Sequence, residues 1–332
     1  MPVFPTQYST LSSSALKIFL QEEYALDIIS CTYLLRGVND HYKVETEDQK
    51  FIFRVYRNTH RSLEEINSEV FFLNKLKAKQ ISISFPLRTI KEKYMVPFEA
   101  AEGMRYGVLF SYALGESFVI LSDEQLAALG KELAKIHNVS AEINLPFERR
   151  EYNTTTTITE PVKSLHGILK GNPTMDVWIK DTMKKVIDKL ESYDLSEFSY
   201  GYCHYDLFPK NFHFDSKDQI TFFDFDFLGK GQLVNDIMTF WLHLSLNALF
   251  KKTSQADSDR QFNVFVTAYR EVRQLQESEL AAIPYLSFGF WIFFMNFHQE
   301  HFDDFSNPFF NTRFINERFE LIKTLTERYC RF

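Results

Sequence analysis

Glycine is scarce in this chain. It makes up 11 of 332 residues, about 3% against the ~7% of average proteins, which excludes collagen-like and Gly-rich linker architectures. Cysteine is scarcer still. Cys31, Cys203 and Cys330 are odd in number, far apart and without a CxxC pair. That spacing argues against a disulfide framework or a thiolate zinc site, and a reduced, cytoplasmic setting is the expectation. Positive charge is in deficit, with 37 Lys and Arg against 44 Asp and Glu for a net charge of −7. Phosphate backbones need a basic surface, so nucleic acid is not an expected partner. Long apolar runs are missing too. The longest, Phe288 to Met295, falls far short of the ~18–20 residues that span a bilayer. The first residues, MPVFPTQYSTLSSS, lack the basic and apolar regions of a signal peptide. A membrane is not an expected partner either.

What is present is a globular composition, 45% hydrophobic with 35 phenylalanines. Most of that Phe is expected in the core. A length of 332 residues is about twice the ~150 of a typical domain, so two lobes are expected. Residues 1–112 read as five strands around one helix. Strand patterns fall at 28–35, around Tyr42 and Val44, at 51–56, 94–98 and 105–111. Ser62 and Glu65 form a capping box, and Leu63, Ile66, Val70 and Leu73 a stripe at helical spacing. Residues 113–332 are mainly helical, with patterns at 160–169, 176–193, 232–250, 257–275, 278–300 and 311–328. The polar patch Thr154 to Thr157 reads as a loop, and 212–214 with 219–223 as a strand pair around a turn holding Asp215 and Asp218. The fold class is therefore α+β.

The chemistry is concentrated in residues 202–236. There His204-x-Asp206-x4-Asn211 precedes an apolar strand that delivers Asp224 at its end. Phosphoryl transfer needs a base for the acceptor hydroxyl and hard oxygen ligands for Mg²⁺. Asp206 suits the first task, and Asn211 with Asp224 the second.

His204-Tyr-Asp206-Leu-Phe-Pro-Lys-Asn211 resembles the H-G-D-x-H-P-G-N catalytic loop of the aminoglycoside phosphotransferase/choline kinase superfamily. Phe223-Asp224-Phe225-Asp226 is similar to its metal-binding segment. Leu129-Gly130-x-x-Leu133-Ala134-x-Ile136-His137 resembles its L-G-x-x-L-A-x-L-H helix, and Arg105 to Gly115 its last N-lobe strand and hinge. The homoserine-kinase-like and bacterial stress-response kinase branches are the most similar. The resemblance implies a bilobal protein-kinase-like fold, with a small antiparallel-sheet N-lobe over 1–112 that binds nucleotide. A larger C-lobe over 113–332 would carry the catalytic loop, metal site and acceptor pocket. It further implies ATP and Mg²⁺ as cofactors, Asp206 as base, and Asn211 and Asp224 as metal ligands assisted by Asp226. His204 and Asp236 would support the loop.

In the same way, Arg54 stands where kinases carry a strand Lys, and Glu69 matches its helix partner, so an Arg54–Glu69 ion pair is expected. Gly37 and Asn39 lie in the phosphate loop, and Ser111 and Ala113 in the adenine hinge. The expected reaction is phosphorylation of a hydroxyl on a small molecule. The alternatives are a Ser/Thr protein kinase of the stress-response type and a nucleotide-binding pseudokinase. Two further clusters read as structural. His298 and His301 with Asp303 and Asp304 suit a polar helix end. Trp241, Tyr285 and Trp291 suit core packing rather than a cage for a quaternary ammonium.

Overall fold

The computed structural model describes residues 4–6, 8–57, 59–301 and 310–332. Asp303 and Asp304 lie outside the described residues. The elements run α1 (Ser13–Tyr24), β1 (Ser30–Arg36), β2 (Asp40–Glu45), β3 (Lys50–Val55), α2 (Leu63–Ala78), β4 (Met95–Ala100) and β5 (Gly103–Ser111). They continue α3 (Asp123–Glu142), β6 (Glu151–Tyr152), α4 (Glu160–Leu169), α5 (Pro173–Glu191), β7 (Tyr200–Cys203), β8 (Phe212–Phe214), β9 (Ile220–Phe222) and β10 (Gly229–Gln232). The last four are α6 (Val234–Leu249), α7 (Gln255–Arg270), α8 (Glu277–His301) and α9 (Thr312–Tyr329). The chain splits into two compact units. One holds residues up to Ser117 with Asn144–Glu148 and Phe212–Asp224, and the other holds the rest.

The first unit is built on an antiparallel sheet of order β1-β2-β3-β5-β4. Strand alternation puts Tyr42, Val44, Phe51, Phe53 and Val55 into one core. Leu16, Leu20 and Tyr24 of α1 pack into the same core. The unit thus has two long helices where one was expected. The signal for α1 was present, since Ser12 caps it and its apolar residues recur every fourth position. Arg54 alternates with the core residues of β3 and so faces away from them, toward α2. Residues 113–117, 144–148 and 212–224 pack with this unit, although a cut at 112/113 puts them in the other. Backbone bonds hold them there, from Ser84 N–H to Phe222 O and from Phe214 N–H to Glu116 O.

In the second unit the helices expected from periodicity appear within a few residues of their expected bounds. A small sheet of order β6-β10-β7 was not expected, because Gly-Lys-Gly-Gln carries no apolar alternation. Glycine is needed at Gly229, where a Cβ would sit 2.4 Å from the Tyr152 ring. Thr155–Thr159 is a π-helical turn leading into α4 rather than a loop. Its threonines bond back to the chain, as in Thr157 Oγ1 donating to Asn153 O at 2.7 Å. By length and composition α8 could cross a membrane, but 72% of its apolar window is buried by the surrounding protein. It is a core helix.

Candidate active site

The loop after β7 is held from behind by Asp236, in the first turn of α6. Asp236 is fully buried. It accepts the N–H groups of His204 at 2.8 Å and Tyr205 at 2.7 Å. His137 Nε2 lies 3.0 Å from the same carboxylate and His137 Nδ1 2.8 Å from Tyr269 OH. A carboxylate only accepts, so Nε2 carries a proton and donates to it. The expected tie between Asp236 and the loop is formed, and His137 is an addition to it.

Tyr205 stands where the superfamily motif has glycine, and its φ of 63° shows why. The left-handed region disfavours a Cβ by about 1–2 kcal/mol. Compensation comes from packing. The buried Tyr205 ring stacks on Tyr152 at 3.5 Å and 5° and touches Phe290 and Phe293 of α8.

Ahead of this brace sits Asp206. Its Oδ2 accepts from Asn211 Nδ2 at 2.8 Å and lies 2.8 Å from Lys210 Nζ. Asn211 Nδ2 also donates to Asp206 O at 2.8 Å. The amide nitrogen of Asn211 is thereby turned toward Asp206, and its oxygen has no hydrogen bond among the described residues. His204 Nδ1 accepts from Asp206 N–H at 3.3 Å, and its ring lies 4.5 Å from that of Phe225. It is a packing and hydrogen-bonding group, as expected. Lys210 was not singled out from the sequence. Its place, four residues after Asp206 in a tight turn, was the available signal.

The first unit carries a second charged node. Arg54 Nη1 donates to Glu69 Oε1 at 2.7 Å, and Arg54 Nη2 lies 3.3 Å from Asp224 Oδ1. Tyr56 OH donates to Glu69 Oε2 at 3.0 Å. The Arg54 guanidinium also lies 4.8 Å above the Phe110 ring. The expected Arg54–Glu69 pair is formed, and Asp224 joins it directly after β9 with a left-handed φ of 62°.

The remaining predicted residues are placed as follows. Asp226, in the second unit, is buried, and Arg149 donates to its carbonyl at 2.7 Å. Asn39 is buried, with its side-chain oxygen accepting from Arg57 N–H at 3.3 Å. Gly37 N–H closes the turn on Asn39 O at 3.0 Å. Ser111 O accepts from Ser84 Oγ, Ser111 Oγ from Phe85 N–H, and Ala113 O from His213 Nδ1 at 2.9 Å. These two hinge carbonyls are thus already bonded. Trp241 and Tyr285 pack on different C-terminal rings, Tyr329 and Phe332.

The model of the phosphotransferase enzyme family matches residues 34–276. The chain belongs to this family. Among relatives of this phosphotransferase, a Deinococcus radiodurans protein is 27% identical, with 88% of this chain and 83% of that one covered. The amicoumacin kinase of Bacillus subtilis is 24% identical, with 81% and 82% covered. A solved structure of an amicoumacin kinase in complex with AMP-PNP, Ca²⁺ and Ami shares the fold of this phosphotransferase at a TM-score of 0.75. It is 19% identical, with 94% of each chain covered.

Asn211 in the second unit and Asp224 in the first are each of a residue type that Mg²⁺ on phosphates takes. Among the described residues no three His, Cys, Asp or Glu side chains gather as a metal cluster. Mg²⁺ on phosphates does not need one, because it takes one or two carboxylates and fills its octahedron with phosphate oxygens and water. The Asn211 amide oxygen and the Asp224 carboxylate are hard oxygen donors of that kind.

Proposed function

We propose that this phosphotransferase moves the γ-phosphoryl group of ATP to a hydroxyl group of a small molecule. The carrying observation is Asp206: a carboxylate in a loop whose two preceding backbone N–H groups are fixed by Asp236, with its side chain oriented by Asn211. Such a group accepts the acceptor's proton as the acceptor oxygen bonds to Pγ. The bond between Pγ and the β–γ bridging oxygen breaks, and ADP leaves. Asn211 and Asp224 would hold Mg²⁺, with Asp226 next in the chain. Bound there, the ion supplies charge neutralisation for the phosphates. Arg54, kept in place by Glu69, forks onto phosphate oxygens, which a guanidinium does well. Gly37 and Asn39 shape the turn beside the phosphates. The backbone around Ser111 and Ala113 meets the base through groups other than the two bonded carbonyls.

The test is ADP release from Mg·ATP across a panel of hydroxyl acceptors, with Asp206→Asn as the blank. An acceptor that raises ADP release above that blank supports the reading. ATP binding without turnover for any small molecule or protein substrate would favour a nucleotide-binding module. Asp224→Ala is expected to weaken ATP binding about tenfold or more in Mg²⁺ and little in EDTA, since it removes a charged ligand. Equal effects in both buffers would remove Asp224 from the metal site.

A further inference from the structure

On that reading the acceptor lies against the second unit, and α8 and α9 carry a feature the transfer itself does not use. Arg318 of α9 is half-buried. Its guanidinium lies 4.9 Å above the Trp291 ring and 5.2 Å from that of Phe314. Among the described residues it makes no hydrogen bond and no ion pair. The adjacent acid, Glu317, is engaged by Arg313 at 2.7 Å. A half-buried guanidinium without an anion is costly, and stacking on aromatic faces satisfies its charge but not its five N–H donors. Trp291 repeats the pattern. It is 9% exposed and its indole Nε1–H has no acceptor among the described residues. Two donor groups in contact therefore both lack an acceptor among the described residues.

Their position ties them to the reaction. An aromatic wall runs from Phe208, two residues after Asp206, to Phe290 at 5.9 Å, and from Phe290 to Trp291 at 5.7 Å. His298, seven residues along α8 from Trp291, is held down to about 4 by burial and then by the charges of Arg318 and Lys210. It is neutral at pH 7, and the positive charges of Arg318 and Lys210 both act on it.

We propose that the phosphate acceptor carries a carboxylate, received by the Arg318 guanidinium and the Trp291 indole N–H. The carboxylate takes no part in bond making. It anchors the molecule while its hydroxyl meets Asp206. A guanidinium fork and an indole donor match the planar, acceptor-only carboxylate. The inference rests on the kinase reading above.

Matched acceptors test it on the full chain: homoserine against 3-aminopropan-1-ol, serine against ethanolamine, and 4-hydroxybutyrate against butane-1,4-diol. In at least one pair the carboxylate member is expected to show kcat/KM at least tenfold higher. Charge-assisted hydrogen bonds of this kind are worth about 10- to 100-fold. Arg318→Gln erases that preference by raising KM with kcat held, and Arg318→Lys restores part of it. Circular dichroism checks that both variants fold. Equal or better use of the neutral member in every pair, or a preference that survives Arg318→Gln, overturns the proposal. Should no acceptor turn over, the same pairs are titrated calorimetrically into wild type with Mg·AMP-PNP. Carboxylate binding that Arg318→Gln abolishes supports the proposal. Absence of carboxylate binding beside a clear nucleotide signal overturns it and leaves the kinase reading standing. Absence of the nucleotide signal overturns both.

Discussion

The regions around Asp236 and Asp206 use the same side chain in opposite ways. Asp236 is fully buried and saturated by rigid donors: two consecutive backbone N–H groups and a histidine whose other nitrogen is itself bonded. Nothing in that shell can move without breaking the loop. Asp206 is held by one buried amide and by Lys210, whose side chain is 66% exposed. An exposed ammonium exchanges its partner for water at little cost. A carboxylate walled in by fixed donors is poorly placed to take a new proton, whereas one with an exposed, replaceable partner is better placed. The comparison therefore separates the brace from the proposed base without appeal to either residue's place in a motif.

Four measurements press on that contrast. Asp206→Asn should cost about 10²–10⁴ in kcat, some 3–5 kcal/mol of barrier, with the urea midpoint close to wild type. Comparable loss of stability would make Asp206 a second brace. Asp236→Asn should do the reverse at the level of folding. The amide turns N–H donors toward donors, leaves buried groups unsatisfied and costs about 2–4 kcal/mol in urea denaturation. A loss under about 1 kcal/mol would mean the loop is held elsewhere.

The third measurement concerns His298. Its folded value near 4 lies below the ordinary 6.5, so between those values the unfolded chain binds the extra proton. The neutral ring's contribution is complete above pH 6.5 and is lost as pH falls to 4. It amounts to about 1–2 kcal/mol after solvent screening. Melting temperatures across that window should fall less steeply for His298→Leu than for wild type, and parallel curves would reject the assignment. The smallest effect is expected for Lys210→Ala, under about 1 kcal/mol in stability. A larger loss in denaturation would mean that Lys210 belongs with the fixed donors.

Much of this was legible in the sequence. Periodicity located the helices of the second unit because their apolar stripes or all-round apolar faces are long. The strands of the first unit alternate clearly, as with Phe51, Phe53 and Val55. The spacing of His204, Asp206, Asn211 and Asp224 marked the chemistry. The unread parts have local causes. Four-residue strands such as Gly229–Gln232 are too short and too polar to alternate. The bond from Arg57 N–H to the Asn39 side-chain oxygen joins residues on separate strands and has no local signal. Lys210 had a local signal in its spacing from Asp206, whereas the approach of Arg318 to Trp291 is a distance that no pattern encodes.

By itself the sequence determined the strand faces, the helix stripes, the capping box at Ser62 and the order of the chemical groups along the chain. All of these depend on residues within a turn or two of each other, where backbone geometry fixes who meets whom. Only the tertiary structure decided that Asp236 is a buried brace with three donors, that Tyr205 is accommodated by stacking on Tyr152, and that Arg318 meets Trp291 with no anion among the described residues. Those outcomes join residues tens of positions apart. Whether a charge is satisfied or left waiting depends on every neighbour that packing brings, and that neighbourhood exists only after the chain has folded.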